Sequence, residues 1–250
     1  MKCVWCKRNN VEMSLDHIIS RAVGCPPGFV LKICKACHSK LSNLDLALAE
    51  SFDFLRFRFN IKGKDGKDPV ITGRTNLYAR YGKNGPEIHV NIGKEKVETF
   101  YKVLNPYQGK AIDVKANITE LPGKMAYIKI EGNIGHHPKL SRALHKIALE
   151  SVAYFLGVEA VLHEKYDQVR DFVLKGNGNR VIFLLAPSRW EYKNIVEAPY
   201  IDEEGNYCVF MKIAGIIAIV DLSSNQMHVP TIKNYLFNTY GKRGWLWLPV

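Results

Sequence analysis

The sequence predicts an α+β protein of two modules, a small cysteine-stapled unit followed by a larger mixed domain. Three observations carry this. Two C-x2-C pairs, Cys3/Cys6 and Cys34/Cys37, bracket a segment too short to build much core of its own. An apolar stripe at helical spacing comes directly after the second pair. Beyond a Gly- and Lys-rich stretch, segments of period-two alternation lead into one strongly periodic helix and then into strands of continuous apolar character.

Residues 1–10 read as a first knuckle closed by an Asn-rich turn, and residues 11–19 as a short strand pair around LDHII. GCPPG at 24–28 forbids regular structure. From His38 a helix is expected to about Phe59, with Leu41, Leu44, Leu48, Phe52 and Leu55 on one face. The module is bounded at 1–60. Residues 61–83, opening with IKGKDGKDP, read as a basic linker or exposed hairpin turn. Residues 84–250 read as the α+β domain. Strands are expected in EIHVNI, VETFYKV, AIDVKANI and MAYIKIEG. Residues 138–157 are the clearest helix, with Pro138 in its first turn, Gly157 as its stop, and a buried face from Leu140, Leu144, Ile147, Ala148, Val152 and Phe155. A second helix is expected at about 164–174. RVIFLLA, YCVFMKI and AGIIAIVDL read as strands buried on both faces, EEGN at 203–206 as a hairpin turn, TIKNYLFNTY as a short helix, and GWLWLPV as a last strand or an interface.

A C-x2-C turn sets two thiolates on one side of a tight knuckle. Two such turns supply the four soft ligands of a closed zinc site, and a site without an open position is structural. The gap between the knuckles is long enough for a hairpin that carries Asp16 and His17. His38 follows the last cysteine at the start of the expected helix.

This pattern, CVWC, LDHIIS and CKACHSKL, resembles the HNH or ββα-metal endonuclease family in its four-cysteine, zinc-stapled branch. The resemblance covers residues 3–50. It implies a strand–strand–helix unit, with Asp16 and His38 as ligands of a catalytic Mg²⁺ or Mn²⁺ and His17 as general base. Cys3, Cys6, Cys34 and Cys37 would hold the structural Zn²⁺. Where the family often has an asparagine before the second knuckle, this chain has Phe29. The chemistry fits these residue types: imidazole titrates near neutral pH, and a divalent cation polarises a scissile phosphate. The implied reaction is hydrolysis of DNA phosphodiester bonds, and the resemblance implies a role in restriction or defence. An RNA-directed nuclease and a non-catalytic zinc-ribbon nucleic-acid-binding protein are the alternatives.

Charge points the same way. The formal net charge is +11, and residues 1–83 hold 15 Lys/Arg against 7 Asp/Glu, whereas the rest holds 20 against 17. A positive field around the cysteine-bearing module suits a polyanionic partner. Arg56, Arg58, Lys62, Lys64 and Lys67 are the candidate phosphate contacts. His136 and His137 read as polar surface, and His145 and Lys146 as helix residues that could reach a phosphate or a partner. A homodimer is compatible with the second domain, in which no nucleotide-binding loop is found. Metal-held thiols fit a reducing cytoplasm. The early cysteine argues against a signal peptide, and the apolar runs are too short for a membrane span.

Overall fold

In the computed structural model of the chain, the described residues are 1–52, several positions between 55 and 66, 137–185 and 191–240. For strands between 76 and 131 and for 245–248 only the backbone is described. The molecule is mixed α and β, with a two-stranded hairpin and two larger sheets.

The N-terminal unit is strand, strand, helix. β1 (Met13–His17) pairs antiparallel with β2 (Val30–Cys34), Asp16 opposite Leu31 and His17 opposite Val30. Residues 11–19 therefore form one strand, not a strand pair; the partner lies beyond the GCPPG loop, across a 3-10 turn at Arg21–Val23. α1 spans Lys35–Ser51. It starts before His38 because the Cys34 thiol caps it, accepting the Cys37 N–H at 3.3 Å. It ends ahead of the expected Phe59, at Ser51, with Phe52 as its C-cap.

The middle of the chain forms a five-stranded antiparallel sheet in the order β6 (Ala111–Ala116), β5 (Thr99–Leu104), β4 (Glu87–Asn91), β3 (Asn76–Arg80), β7 (Tyr127–Glu131). Four of these are the alternating segments of the sequence. β3 lies in the stretch read as basic linker. Only five residues long and weakly patterned, it is held by pairing to β4 and β7 on either side.

α2 (Leu140–Leu156) is the central helix, and Gly157 at its C-cap adopts φ +91°. The sequence assigns it one apolar face. In the fold nearly all of it is buried, Ser141, His145, Lys146, Glu150 and Ser151 included. The difference arises because its polar side meets other chain segments instead of water. The second expected helix is a 3-10 turn, Glu164–Tyr166, leading into α3 (Asp167–Lys175).

The last sheet runs β10 (Tyr200–Ile201), β11 (Tyr207–Ile213), β12 (Ile216–Asp221), β8 (Ile182–Leu185), β13 (Trp245–Leu248), with β9 (Ile195–Val196) also on β11. β11 and β12 are joined by Ala214 and Gly215, both at positive φ, the conformation of a tight two-residue hairpin. A Cβ on Gly215 would fall 2.4 Å from the Glu191 carbonyl oxygen. One face of this sheet, with Val209, Met211, Ala218 and Val220, joins the core around α2. The other, with Phe183, Cys208 and Ile219, is covered by Ile232 and Leu236 of α4 (Val229–Tyr240). Burial on both faces accounts for the unbroken apolar runs.

The N-terminal unit shares this core. Trp5, Ile18, Ile33, Leu41 and Leu48 belong to the same cluster as Leu144, Ile147 and Val152. Arg170 of α3 donates to the Val4 carbonyl at 2.9 Å, and Lys7 pairs with Asp167 at 2.6 Å. Phe29 packs edge-on against Tyr154, centroids 4.9 Å apart, and also touches Phe155. Phe29 thus docks the hairpin on α2.

Candidate metal and catalytic site

The four thiols of Cys3, Cys6, Cys34 and Cys37 lie within 4.8 Å of one another. The first knuckle turns with Lys7 at φ +59°, and its Cys3 N–H donates to the Arg8 carbonyl at 3.1 Å. The Cys34 N–H donates to the Cys3 sulfur at 3.4 Å, and the Arg8 guanidinium to the Cys6 sulfur at 3.4 Å. Such N–H donors stabilise thiolate charge. Hydrogen bonding from the Cys37 thiol pulls the Cys3 thiol down to about 4, and the same contact pushes Cys37 up. Four cysteines on two turns, with backbone donors aimed at sulfur, fit a structural zinc ion.

β1 and α1 bring two of the three proposed catalytic residues into contact. Asp16 points inward from β1 and is almost completely buried, and His38 lies in the first two turns of α1. Asp16 Oδ1 is 3.5 Å from His38 Nε2. The other ring nitrogen, Nδ1, is 2.9 Å from the Ser14 hydroxyl, which fixes the imidazole's orientation. His17, last in β1, is half-buried. Burial, then the charge of Arg21, lowers its pKa, so the ring is neutral near pH 7.

Behind Asp16 stands a cation from α2. Lys146 Nζ is 2.9 Å from Asp16 Oδ2, 3.4 Å from Asp45 Oδ1 and 3.2 Å from Glu150 Oε2, and it donates to the His17 carbonyl at 3.2 Å. Burial alone would lower the Lys146 pKa, but Glu150, Asp45 and Asp16 outweigh it and hold it above its usual value. Burial raises the carboxyls of Glu150 and Asp45, with the Lys146 charge opposing. Trp5 Nε1 donates to the remaining Glu150 oxygen at 2.8 Å. Lys146 is therefore not a surface group reaching for a phosphate; it is an internal counter-ion. Its neighbour His145 is also fully buried, its Nδ1 2.8 Å from the Ser141 carbonyl.

Asp45, Ser14 and Glu150 carry no motif, and sequence reasoning missed them. Asp45 lies two turns beyond His38 on α1, a spacing that places both on one side of the helix. That periodicity is the one signal that could have found it.

Of the five candidate phosphate contacts, Arg56 is buried, and its charge acts on the neighbouring Tyr192. Lys62 is exposed. Arg58, Lys64 and Lys67 lie outside the described residues. His137 Nε2 is 3.2 Å from Glu50 Oε2, so it is paired and largely buried; His136 lies outside the described residues. Among the described residues no helix is long and apolar enough to cross a membrane. Comparison with known protein families, curated proteins and solved structures finds no match.

Proposed function

We propose that the hairpin–helix unit is an HNH-type nuclease that hydrolyses DNA phosphodiester bonds with the help of a divalent metal ion. The observation that carries this reading is the 3.5 Å approach of Asp16 Oδ1 to His38 Nε2, next to His17 in sequence and on the same hairpin–helix unit as a four-thiol cluster. One carboxylate and one imidazole can hold a divalent ion such as Mg²⁺ or Mn²⁺ while leaving positions for phosphate oxygens and water. Asp16 and His38 would hold the ion. Bound there, it would polarise a phosphate oxygen and neutralise charge on the leaving group.

The chain's own residues do the rest. With its Nδ1 against the Ser14 hydroxyl, His38 would offer Nε2 as the ligand. His17, kept neutral by burial, takes a proton from water. Lys146 fixes Asp16 through Oδ2 and leaves Oδ1 turned toward His38. The basic N-terminal module draws the polyanion in.

The test is cleavage of supercoiled plasmid by wild type and His17→Ala in Mg²⁺, Mn²⁺ or EDTA. Wild type should cut with metal only, and His17→Ala should be slower by ~10²-fold or more. Equal cutting by both proteins would overturn the assignment of His17. A second reading is favoured by the Lys146–Asp16 contact, which places an ammonium where a metal ion competes for the same carboxylate. In that reading the module binds nucleic acid without cutting it. Both proteins inert in every metal, with equal DNA affinity, would select it. Cleavage of RNA but not of plasmid would redirect the substrate class.

A further inference from the structure

The C-terminal sheet carries a second group of metal-type donors, remote in sequence from the cysteine knuckles. Cys208 on β11 and Asp221 at the end of β12 are direct cross-strand partners. Opposed residues of an antiparallel pair present their side chains on the same face. The segment after β12 then folds back: Asp221 Oδ1 accepts the Ser223 N–H at 2.8 Å, and Oδ2 accepts the His228 N–H at 2.9 Å. This loop returns His228 to the pair. One donor atom from each of Cys208, Asp221 and His228 lies within 4.8 Å of the other two.

Two further observations bear on what the group is for. His228 Nε2 is fully buried and makes no aligned hydrogen bond, although Asp202 Oδ2 is only 2.9 Å away. The Asp202 carboxylate beside it orients the ring, as an outer carboxylate does for a metal-ligating histidine. Cys208, His228 and Asp202 also line a cavity of about 300 Å³, walled by Tyr200, Phe210 and Tyr235 among others. A thiol, an imidazole and a carboxylate could also be read as a cysteine nucleophile with its base. Here the electrostatics decide. A nucleophilic cysteine needs positive surroundings to favour its thiolate. This one faces Asp221 in the sheet and shares its cavity with Asp202. Two carboxylates disfavour a free thiolate but favour a bound cation.

We propose that Cys208, Asp221 and His228 form a second transition-metal site, with Asp202 flanking His228 and the remaining coordination position reachable from the cavity. The donors suit zinc: one thiolate, one neutral imidazole and one carboxylate neutralise a dication, and the thiol proton is released to solvent on binding. Three protein ligands with an open position are the pattern of zinc that meets an exogenous ligand, unlike the closed four-thiolate cluster.

The experiment is metal analysis of the tag-free full-length protein, purified with zinc and dialysed into metal-free buffer, beside Cys208→Ser and His228→Gln. Each variant should carry one equivalent less zinc than wild type, and Cys34→Ser should lose a different one. Folded variants with the wild-type zinc content overturn the proposal. Co²⁺ titration of the unaltered chain gives a check independent of variant folding. Two spectral phases are expected, an intense four-thiolate one and a weaker one from a single thiolate. Saturation in one four-thiolate phase also overturns it. Neither measurement involves DNA, so the outcome is separate from that of the nuclease reading.

Discussion

The Lys146 ammonium lies 2.9 Å from Asp16 Oδ2, although the two residues are 130 positions apart and both almost fully buried. The same ammonium reaches Asp45 and Glu150, so one cation from α2 serves three carboxylates. Removing a single partner from a buried ionic group leaves uncompensated charge, a heavier loss than forgoing the pair altogether.

Lys146→Met should therefore destabilise the protein by about 3–5 kcal/mol. Adding Glu150→Gln should recover part of that, because it removes one of the stranded carboxylates. Urea unfolding of wild type, single and double variants measures both effects. A single variant within error of wild type would show that the network contributes nothing net.

His145 makes stability depend on pH. Burial first, and then the charge of Arg180, lowers its pKa to about 3 in the fold, against ~6.5 for an unperturbed imidazole. Between these values unfolding takes up a proton. The contribution of His145 is thus fully present above the unfolded value and is lost as pH falls toward about 3, by ~1.4 kcal/mol per unit in that window. Glu150 and Asp45 act in the opposite sense: their carboxyls are raised, so their contribution is present at low pH and lost as pH rises. His145→Leu should accordingly lose less stability than wild type between about pH 7 and pH 5. The difference between their urea midpoints, with zinc present in both, reports the imidazole. Parallel curves would show that His145 is not titrating.

Neutralising Lys62, Lys64 and Lys67 should weaken DNA binding and lower the slope of log affinity against log salt by ~0.9 for each phosphate no longer neutralised. Arg56→Ala should instead leave the slope unchanged and reduce stability, because its side chain is buried. Binding isotherms at several salt concentrations, with thermal melts, separate the two. A flatter slope from Arg56→Ala would mean that this arginine reaches the DNA after all.

What could be read from the sequence was local. Each C-x2-C spacing places two thiols together, because a tight turn leaves little choice, and the fold brings the two pairs into one cluster. The 3.6-residue period after Cys34 brings His38 back over Asp16. Lys146 and Glu150 were illegible for a physical reason. Lysine and glutamate at i and i+4 usually mark a solvated helix face, and only the docked hairpin turns that face inward. Cys208, Asp221 and His228 were missed because no spacing announces them; strand register and a returning loop assemble them. Phe29 looked like a missing asparagine, and its role emerges only beside Tyr154.

The shared core has a consequence for how this chain can be dissected. In gene order the cysteine module comes first and α2 comes after the five-stranded sheet, yet the outer two are packed together while the strands from 76 to 131 pair among themselves. In sequence the sheet is a guest inserted between the two halves of a host that share one core. A fragment that stops anywhere between residues 62 and 137 keeps every knuckle cysteine but strands Trp5 without Glu150 and Asp16 without Lys146. Inactivity of such a fragment would report a host cut in half and would say nothing of its chemistry. The informative excision leaves both halves and removes the guest.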